Sequence, residues 1–379
     1  MTSADSAEDQ AHMGRALALA ARGLYTTDPN PRVGCVLVRG DVRLGEGWHE
    51  RAGGPHAEVA ALGAARGSVS GATAYVSLEP CSHTGRTPPC VDALIAAGIR
   101  RVVCSSIDPN PKVAGEGIKR LRAAGILVSV GALADEARAL NAGYFSRFER
   151  GRPLIRLKLA MSLDARTAPA QGGMMWISGE ASRADVQEWR ARSSAILTGA
   201  GTVRVDDPRL NVRLSYGPWI RQPLRVLLDP ALSCSPSAQI FQGGVTLVFA
   251  AADAPPPPYL PLSVPPVEVE RVAATGRRLD LEAVIARLTA REVNELLVEC
   301  GPRLAGAFLE AGLVDELILY VAPILLGADA APLTALSGLR AKSPLPGFEF
   351  ASEQRMGADL RLILIPTSAD SAAATPTGS

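Results

Sequence analysis

Between His56 and Cys90 the chain holds Pro55-His56-Ala57-Glu58, Leu78-Glu79-Pro80-Cys81 and Pro88-Pro89-Cys90. A fold that carries this stretch has to bring one imidazole nitrogen and two thiolates to a single point. That demand limits the architecture more than any other segment does. Three protein ligands are one short of the four a tetrahedral zinc takes, so a water fits the fourth position. Glu58 stands two residues after His56, at the start of the apolar run Val59-Ala60-Ala61-Leu62. A carboxylate there can face the water without binding the metal. A purely structural zinc module would take a fourth protein ligand and has no use for such a carboxylate.

His-x-Glu followed downstream by Pro-Cys and a second cysteine is the pattern of zinc deaminases, in which the glutamate moves protons. The usual cysteine spacing there is Cys-x-x-Cys, whereas eight residues lie between Cys81 and Cys90. The longer loop still serves if Cys90 opens a helix, and Pro88 and Pro89 suit a helix start.

Length and composition set the frame. A chain of 379 residues with 47% hydrophobic content suggests two or three domains with sizeable cores. Net charge of +1 gives no electrostatic footprint for nucleic acid or an anionic membrane surface. No apolar stretch approaches a membrane span, and Met1–Gln10 lacks the regions of a signal peptide. Six scattered cysteines, two of them in the metal constellation, fit a reducing cytoplasmic setting.

Taken in order, helical spacing runs from about Glu8 to Arg22, and Val33–Val38 and Val42–Trp48 read as strands joined through Gly40-Asp41. Helices are expected at His56–Ala65, Pro89–Ala97, Gly115–Ala124 and Ala134–Asn141. Strands are expected at Thr73–Leu78, Val102–Ser105 and Ile126–Val130. This alternation implies an α/β sheet covered by helices, with the ligands where strands meet helix starts. The charged, breaker-bearing run Arg147–Pro153 marks a domain boundary. The expected division is 1–150, 151–366 and a small, polar, disordered tail at 367–379.

In the second unit, strands are expected at Leu154–Ser162, Ala195–Thr198, Leu224–Leu228, Val245–Phe249, Val267–Val269, Glu295–Cys300, Glu316–Val321 and Asp359–Ile365. Helices are expected at Gly179–Arg192, Asp280–Arg291 and Leu304–Gly312. Gly199-Ala200-Gly201-Thr202-Val203-Arg204 begins like a dinucleotide fingerprint, but Arg204 stands where the third glycine belongs, so a Rossmann site is not indicated. Glu299–Gly306 passes from strand to helix with small residues, which suits either a phosphate at the helix start or simply a tight turn.

Together, Thr27–Val36, His56-Ala57-Glu58, Leu78–Cys90 and Asp108-Pro109-Asn110-Pro111 resemble the bifunctional deaminase–reductases of riboflavin biosynthesis, the RibD/RibG family. The likeness runs from about Ala11 to Ile365, and the long cysteine spacing is normal in that family. It implies a cytidine-deaminase-like three-layer domain at 1–150, followed by a dihydrofolate-reductase-like α/β domain at 151–366. It also implies two successive reactions on a phosphoribosyl pyrimidine, a zinc-dependent deamination and an NADPH-dependent reduction of the ribosyl group.

The resemblance implies one zinc per chain on His56, Cys81 and Cys90, with Glu58 as proton shuttle. It carries first-substrate contacts onto Asn30, His49, His83, Arg86 and Thr87, with Arg86 suited to the phosphate. It carries second-substrate contacts onto Lys158, Arg190, Leu210, Arg213 and Glu299. NADPH contacts fall on Ala160, Trp176, Thr202, Asp206 and the loop Gly301, Pro302, Arg303, Leu304, Ala305, Gly306 and Ala307. Lys158 and Asp206 are expected nearest the reacting ribose. Arg190 and Arg213 can neutralise the phosphate. A small-molecule substrate, no nucleic acid, no membrane and a homo-oligomer complete the expectation. The chain departs from the family pattern in having Ala165 after Ser162-Leu163-Asp164 where glycine is usual, and Met174 where a serine is usual.

Overall fold

In the computed structural model the described residues are 6–82, 88–169, 175–214, 220–257, 267–337 and 347–367. Contacts divide the chain into two compact units, Met1–Arg152 with Gly217–Arg221, and Pro153–Tyr216 with Gln222–Ser379.

The first unit runs α1 (Ala7–Ala20), β1 (Gly34–Arg39), β2 (Val42–Trp48), α2 (Ala57–Gly63), β3 (Thr73–Val76), α3 (Cys90–Ala96), β4 (Arg101–Cys104), α4 (Glu116–Ala123), β5 (Leu127–Val130), α5 (Ala134–Leu140) and α6 (Ala142–Glu149). Its sheet has the order β2-β1-β3-β4-β5. The β1 strand is antiparallel to β2 and β3, while β3, β4 and β5 are parallel.

Alternation along β1 separates two cores. Cys35 and Leu37 pack with Ala57 and Ala61 of α2, Val91 and Leu94 of α3 and Leu121 of α4. Val36 and Val38 point the other way and meet Met13, Ala16 and Leu19 of α1. The result is helix, sheet, helix. Two glycines set how closely α2 lies on the sheet. A Cβ on Gly45 would stand 2.4 Å from the Ala61 carbonyl oxygen, and one on Gly47 would stand 2.3 Å from the Ala61 nitrogen. Only glycine at these positions lets the helix that follows His56 rest directly on β2.

The second unit runs β6 (Leu154–Ser162), β7 (Arg166–Ala168), α7 (Glu180–Arg192), β8 (Ala195–Gly199), α8 (Ala200–Asp206), β9 (Leu224–Leu228), β10 (Thr246–Ala251), β11 (Val267–Val272), β12 (Ala274–Thr275) and β13 (Arg278–Leu279). It continues through α9 (Leu281–Ala290), β14 (Glu295–Glu299), α10 (Pro302–Glu310), β15 (Glu316–Ala322), β16 (Ala331–Pro332), β17 (Phe348–Met356) and β18 (Asp359–Pro366). Its main sheet has the order β11-β10-β9-β8-β14-β6-β15-β18-β17. Strands β11 to β15 of that order are parallel, and β18 and β17 close the edge antiparallel. Both faces are covered. Leu197, Val226 and Phe249 pack under Val284 and Leu288 of α9 and Phe308 of α10. Ile196, Leu227 and Val248 pack with Val186 of α7 and Val203 of α8. Strands buried on both faces read as continuous apolar runs, which explains their legibility.

Besides the short strands β7, β12, β13 and β16, three elements differ from expectation. A further helix, α6, follows Asn141 and runs into the start of the segment read as a charged boundary. Its apolar face carries Tyr144 and Phe145 onto Leu78 and Val33, and burial outweighs the charged composition. The glycine-bearing Ala200–Asp206 segment forms a helix, because Ala200 and Val203 reach the core one helical turn apart. The edge strand β17 lacks an alternating apolar pattern, since most of its length is exposed.

Ala165 lies in the tight turn that ends β6, with φ of 55°. Its neighbour Asp164 accepts the N–H of Gly327 at 2.7 Å and of Leu326 at 3.1 Å. The turn is therefore pinned in a left-handed conformation that an L-residue adopts at a cost of about 1–2 kcal/mol. Replacing Ala165 by Gly is expected to raise stability by up to about 1 kcal/mol, the strain relief being partly offset by unfolded-state entropy. Urea midpoints followed by a probe in the second unit would check this, and a lowered midpoint would contradict it.

Candidate metal and nucleotide sites

The strand that precedes it and the helices that follow position each metal-ligating side chain. His56 is the N-cap residue of α2. Cys81 ends the turn after β3, and Cys90 is the first residue of α3, as the two prolines suggested. His56 Nδ1 lies 3.2 Å from Cys90 Sγ and 3.5 Å from Cys81 Sγ, and the three donors all lie within 4.8 Å of one another. Zinc distances of about 2.0 Å to nitrogen and about 2.3 Å to sulfur, at a tetrahedral angle, place the two atoms about 3.5 Å apart. The donor set therefore fits zinc. Among the described residues no fourth His, Cys, Asp or Glu joins the group, so a coordination position stays open.

Electrostatics follow from this crowding. Hydrogen bonding from the Cys90 thiol, aided by His56, pushes the Cys81 thiol down to about 4, while Cys90 is pushed up by the same bond. The Cys90 backbone N–H also donates to Cys81 Sγ at 3.3 Å, as expected for a thiolate facing a helix start. Glu58, in the first turn of α2, is 3% exposed. Burial, then the negative Cys81 beside it, push its carboxyl up to about 7.

His49 and Asn30 form a hydrogen-bonded pair beside His56. Asn30 Nδ2 donates to His49 Nε2 at 3.0 Å, and His49 Nδ1 donates to the Pro55 carbonyl at 2.9 Å. The ring of His49 meets that of His56 edge-on, with centroids 5.3 Å apart. Both nitrogens of His49 are thus engaged, which leaves the Asn30 carbonyl oxygen as the group available to a ligand. His83, Arg86 and Thr87 lie outside the described residues.

In the second unit, Lys158 on β6 and Glu299 on β14 are register partners on adjacent parallel strands. The Glu299 carboxylate is taken by Arg190 of α7, whose Nε and Nη2 donate to it at 2.6 and 2.9 Å. Arg190 Nη1 also donates to the Asn211 carbonyl at 3.2 Å. Among the described residues no ion pair or hydrogen bond engages Lys158; its ammonium stands over the Tyr320 ring, 5.8 Å from the centroid. Burial, reinforced by Arg190 and opposed by Glu299, holds its pKa below the usual lysine value. Asp206, at the exposed end of α8, makes no bond with Lys158.

The loop from Gly301 to Ala307 opens α10, with Gly301 as N-cap and Pro302 in the first turn, and no side chain caps the helix start. The Gly301 N–H donates to Thr202 Oγ1 at 3.1 Å, which brings α8 and α10 together. Uncapped N–H groups at a helix start suit a phosphate, so this end fits a dinucleotide. Ala160 is half-buried on β6, and Trp176 is exposed with Arg183 over its ring. Arg213 is exposed, whereas Leu210, with φ of 48°, turns its side chain into the core. Met174 lies outside the described residues.

Sequence reasoning missed Glu79. It is buried, and its carboxylate accepts three backbone N–H groups. Its place in Leu78-Glu79-Pro80-Cys81 was the available signal, but nothing local says which groups it meets.

Comparison with known proteins places both halves. The family described as "RibD C-terminal domain" matches residues 153–362, and "Cytidine and deoxycytidylate deaminase zinc-binding region" matches residues 6–106. The chain is 48% identical over 370 residues to "Riboflavin biosynthesis protein RibD" of Escherichia coli, covering 94% of this chain and 99% of that one. It is 44% identical to the Haemophilus influenzae protein of the same name, with 95% and 98% covered. Among solved structures it is similar to Acinetobacter baumannii RibD, with TM-score 0.87 and 42% identity over 95% of this chain and 99% of that one. It is also similar to a Thermotoga maritima diaminohydroxyphosphoribosylaminopyrimidine deaminase/5-amino-6-(5-phosphoribosylamino)uracil reductase, with TM-score 0.82 and 32% identity over 94% and 98%.

The purified chain is expected to carry about one zinc, and His56→Ala, Cys81→Ser and Cys90→Ser are each expected to lose it. Elemental analysis would check this, and full zinc retention in all three variants would remove the assignment.

Proposed function

This chain belongs to the RibD family of riboflavin biosynthesis, and from that membership we propose which of its residues carry each of two reactions. The first is hydrolytic deamination of 2,5-diamino-6-ribosylamino-4(3H)-pyrimidinone 5′-phosphate. The second is NADPH-dependent reduction of the ribosyl side chain, giving 5-amino-6-ribitylamino-uracil 5′-phosphate. The observation that carries the residue assignment is Glu58, buried beside a three-donor cluster that it does not join.

His56, Cys81 and Cys90 would hold the zinc, whose chemistry when bound would be to make a water acidic enough to ionise near neutral pH. Glu58 would take the first proton of the attacking water and pass it to the ring nitrogen, then take the second from the newly formed carbon-bound hydroxyl and give it to the departing amine, which leaves as ammonia. A carboxyl near 7 suits a group that must both accept and return a proton at neutral pH. His49 orients Asn30, whose carbonyl oxygen accepts from the pyrimidine. His83, Arg86 and Thr87 remain substrate contacts on the resemblance, with Arg86 forked on the phosphate.

In the second unit, NADPH supplies the hydride. Gly301–Ala307 at the start of α10 would hold its phosphates, and Thr202, Asp206, Ala160 and Trp176 would supply its other contacts. Arg190 engages Glu299 and so keeps that carboxylate from pairing with Lys158. Lys158 is left free to hold the ribose oxygen and donate a proton as the hydride arrives. Asp206 is the second group assigned to that step, and Leu210 contacts the substrate through its backbone. Arg213, exposed as it is, takes the phosphate role that Arg190 shares by position. Six unbridged cysteines support a reducing, cytoplasmic setting, and the long exposed edge strand β17 suits a homo-oligomer. No described helix is long and apolar enough to cross a membrane. The substrates are small molecules.

Glu58→Gln keeps side-chain shape and removes the shuttle. It is expected to retain zinc, lose deamination by at least about 10²–10⁴-fold, and reduce pre-deaminated substrate at the wild-type rate. Lys158→Ala is expected to make the deaminated ribosyl intermediate accumulate. Product masses with and without NADPH would read both. Wild-type deamination by Glu58→Gln would overturn the assignment, as would loss of both activities with the fold intact.

A further inference from the structure

The turn that carries Cys81 is gripped by α4 at points on both sides of the ligand. Before it, the Glu79 carboxylate is 4% exposed and, among the described residues, has no Lys or Arg paired with it. One carboxylate oxygen accepts the Gly115 N–H at 2.9 Å and the Asp108 N–H at 3.1 Å, and the other accepts the Ile118 N–H at 3.2 Å. Gly115 is the N-cap residue of α4, lies in the left-handed region with φ of 85°, and offers no side chain to cap the helix. Glu79 therefore supplies from another element the oxygen that a Ser or Asp at the N-cap would provide. Its negative charge sits at the positive end of α4.

Two further contacts continue along the turn. The Pro80 carbonyl approaches α4 so closely that a Cβ on Gly117 would lie 2.1 Å from its oxygen. One residue past the ligand, the Ser82 carbonyl accepts from Arg120 Nη1 at 2.8 Å, and Arg120 also pairs with Asp92 of α3. Residues 79, 80 and 82 are thus fixed to one helix, and Cys81 lies between them.

We propose that Glu79 is a positioning residue of the metal centre: by capping α4 it locks that helix to the turn and sets where the Cys81 sulfur meets His56 and Cys90. The proposal rests on the zinc reading of those three ligands. Groups that hold ligands in place commonly change metal affinity or activity by about 10–100-fold when removed. The anchoring by backbone N–H groups, rather than by a flexible cation, gives the turn a fixed position from which a sulfur can be aimed.

The test uses the full chain and two variants, Glu79→Gln and Gly117→Ala. Glutamine keeps the shape but leaves a buried N–H without its acceptor. Gly117→Ala leaves Glu79 in place and displaces the Pro80 carbonyl, although alanine is by itself better in a helix than glycine by about 1 kcal/mol. Zinc release into excess chromogenic chelator is followed, alongside kcat and KM for deamination and the rate of reduction of deaminated substrate. In both variants zinc release is expected to be at least about 10-fold faster and deamination kcat lower by about 10–100-fold, with reduction unchanged. Zinc release and deamination at the wild-type rates in folded variants would overturn the proposal. If Glu79→Gln fails to fold, Gly117→Ala decides by the same two readouts. A wild-type chain without zinc would sink the metal reading itself, whereas a zinc-loaded wild type with unchanged variants sinks only the role of Glu79.

Discussion

Two sulfurs and an imidazole nitrogen held within 4.8 Å of one another are an arrangement that no chain adopts for its own stability. Crowding drives one thiol down and the other up. The backbone has to hold them there, and much of the first unit serves that end. His56 arrives at the start of α2, which rests on β2 only because Gly45 and Gly47 leave room. Cys90 arrives at the start of α3, and Cys81 on a turn fastened to α4. Three helix starts converge near the ends of parallel strands, where their N–H groups favour negative sulfur and carboxylate.

Glu58 gains its properties from the same packing. A surface glutamate would be ionised throughout the neutral range. Burial beside the Cys81 thiolate pushes its carboxyl up to about 7. Moving α2 outward by even one side-chain layer would rehydrate it and remove that property. The small residues of β2 and the acid–base chemistry are therefore linked through a single close approach.

The second unit solves a different electrostatic problem with similar geometry. Lys158 and Glu299 sit opposite each other on neighbouring parallel strands, where they would ordinarily form an ion pair. Arg190, brought in by α7, occupies the carboxylate with a two-pronged fork instead. The lysine is left over an aromatic face, half-buried, with its donors uncommitted among the described residues. An ammonium in that state is stabilised weakly by the ring and gains most from a ligand oxygen that completes its hydrogen bonds.

Much of this was legible in the residue order. The donor set, the glutamate beside it and the order of strands and helices follow from local spacing, because alternation and helical periodicity record which side of an element is buried. The glycines of β2 and the capping by Glu79 were not legible, since a Cβ clash or a trans cap exists only when distant segments meet. The helices α6 and α8 were hidden for a related reason: charge and glycine argued against them locally, and burial of Tyr144, Phe145 and Val203 decided otherwise. Arg190 was placed at the substrate by the family resemblance and not by any local pattern, and its fork on Glu299 depends on a partner far along the chain. The sequence by itself determined which groups are available for chemistry. Tertiary structure decided which of them are already spoken for, because pairing and desolvation depend on neighbours that folding alone brings within a few ångströms.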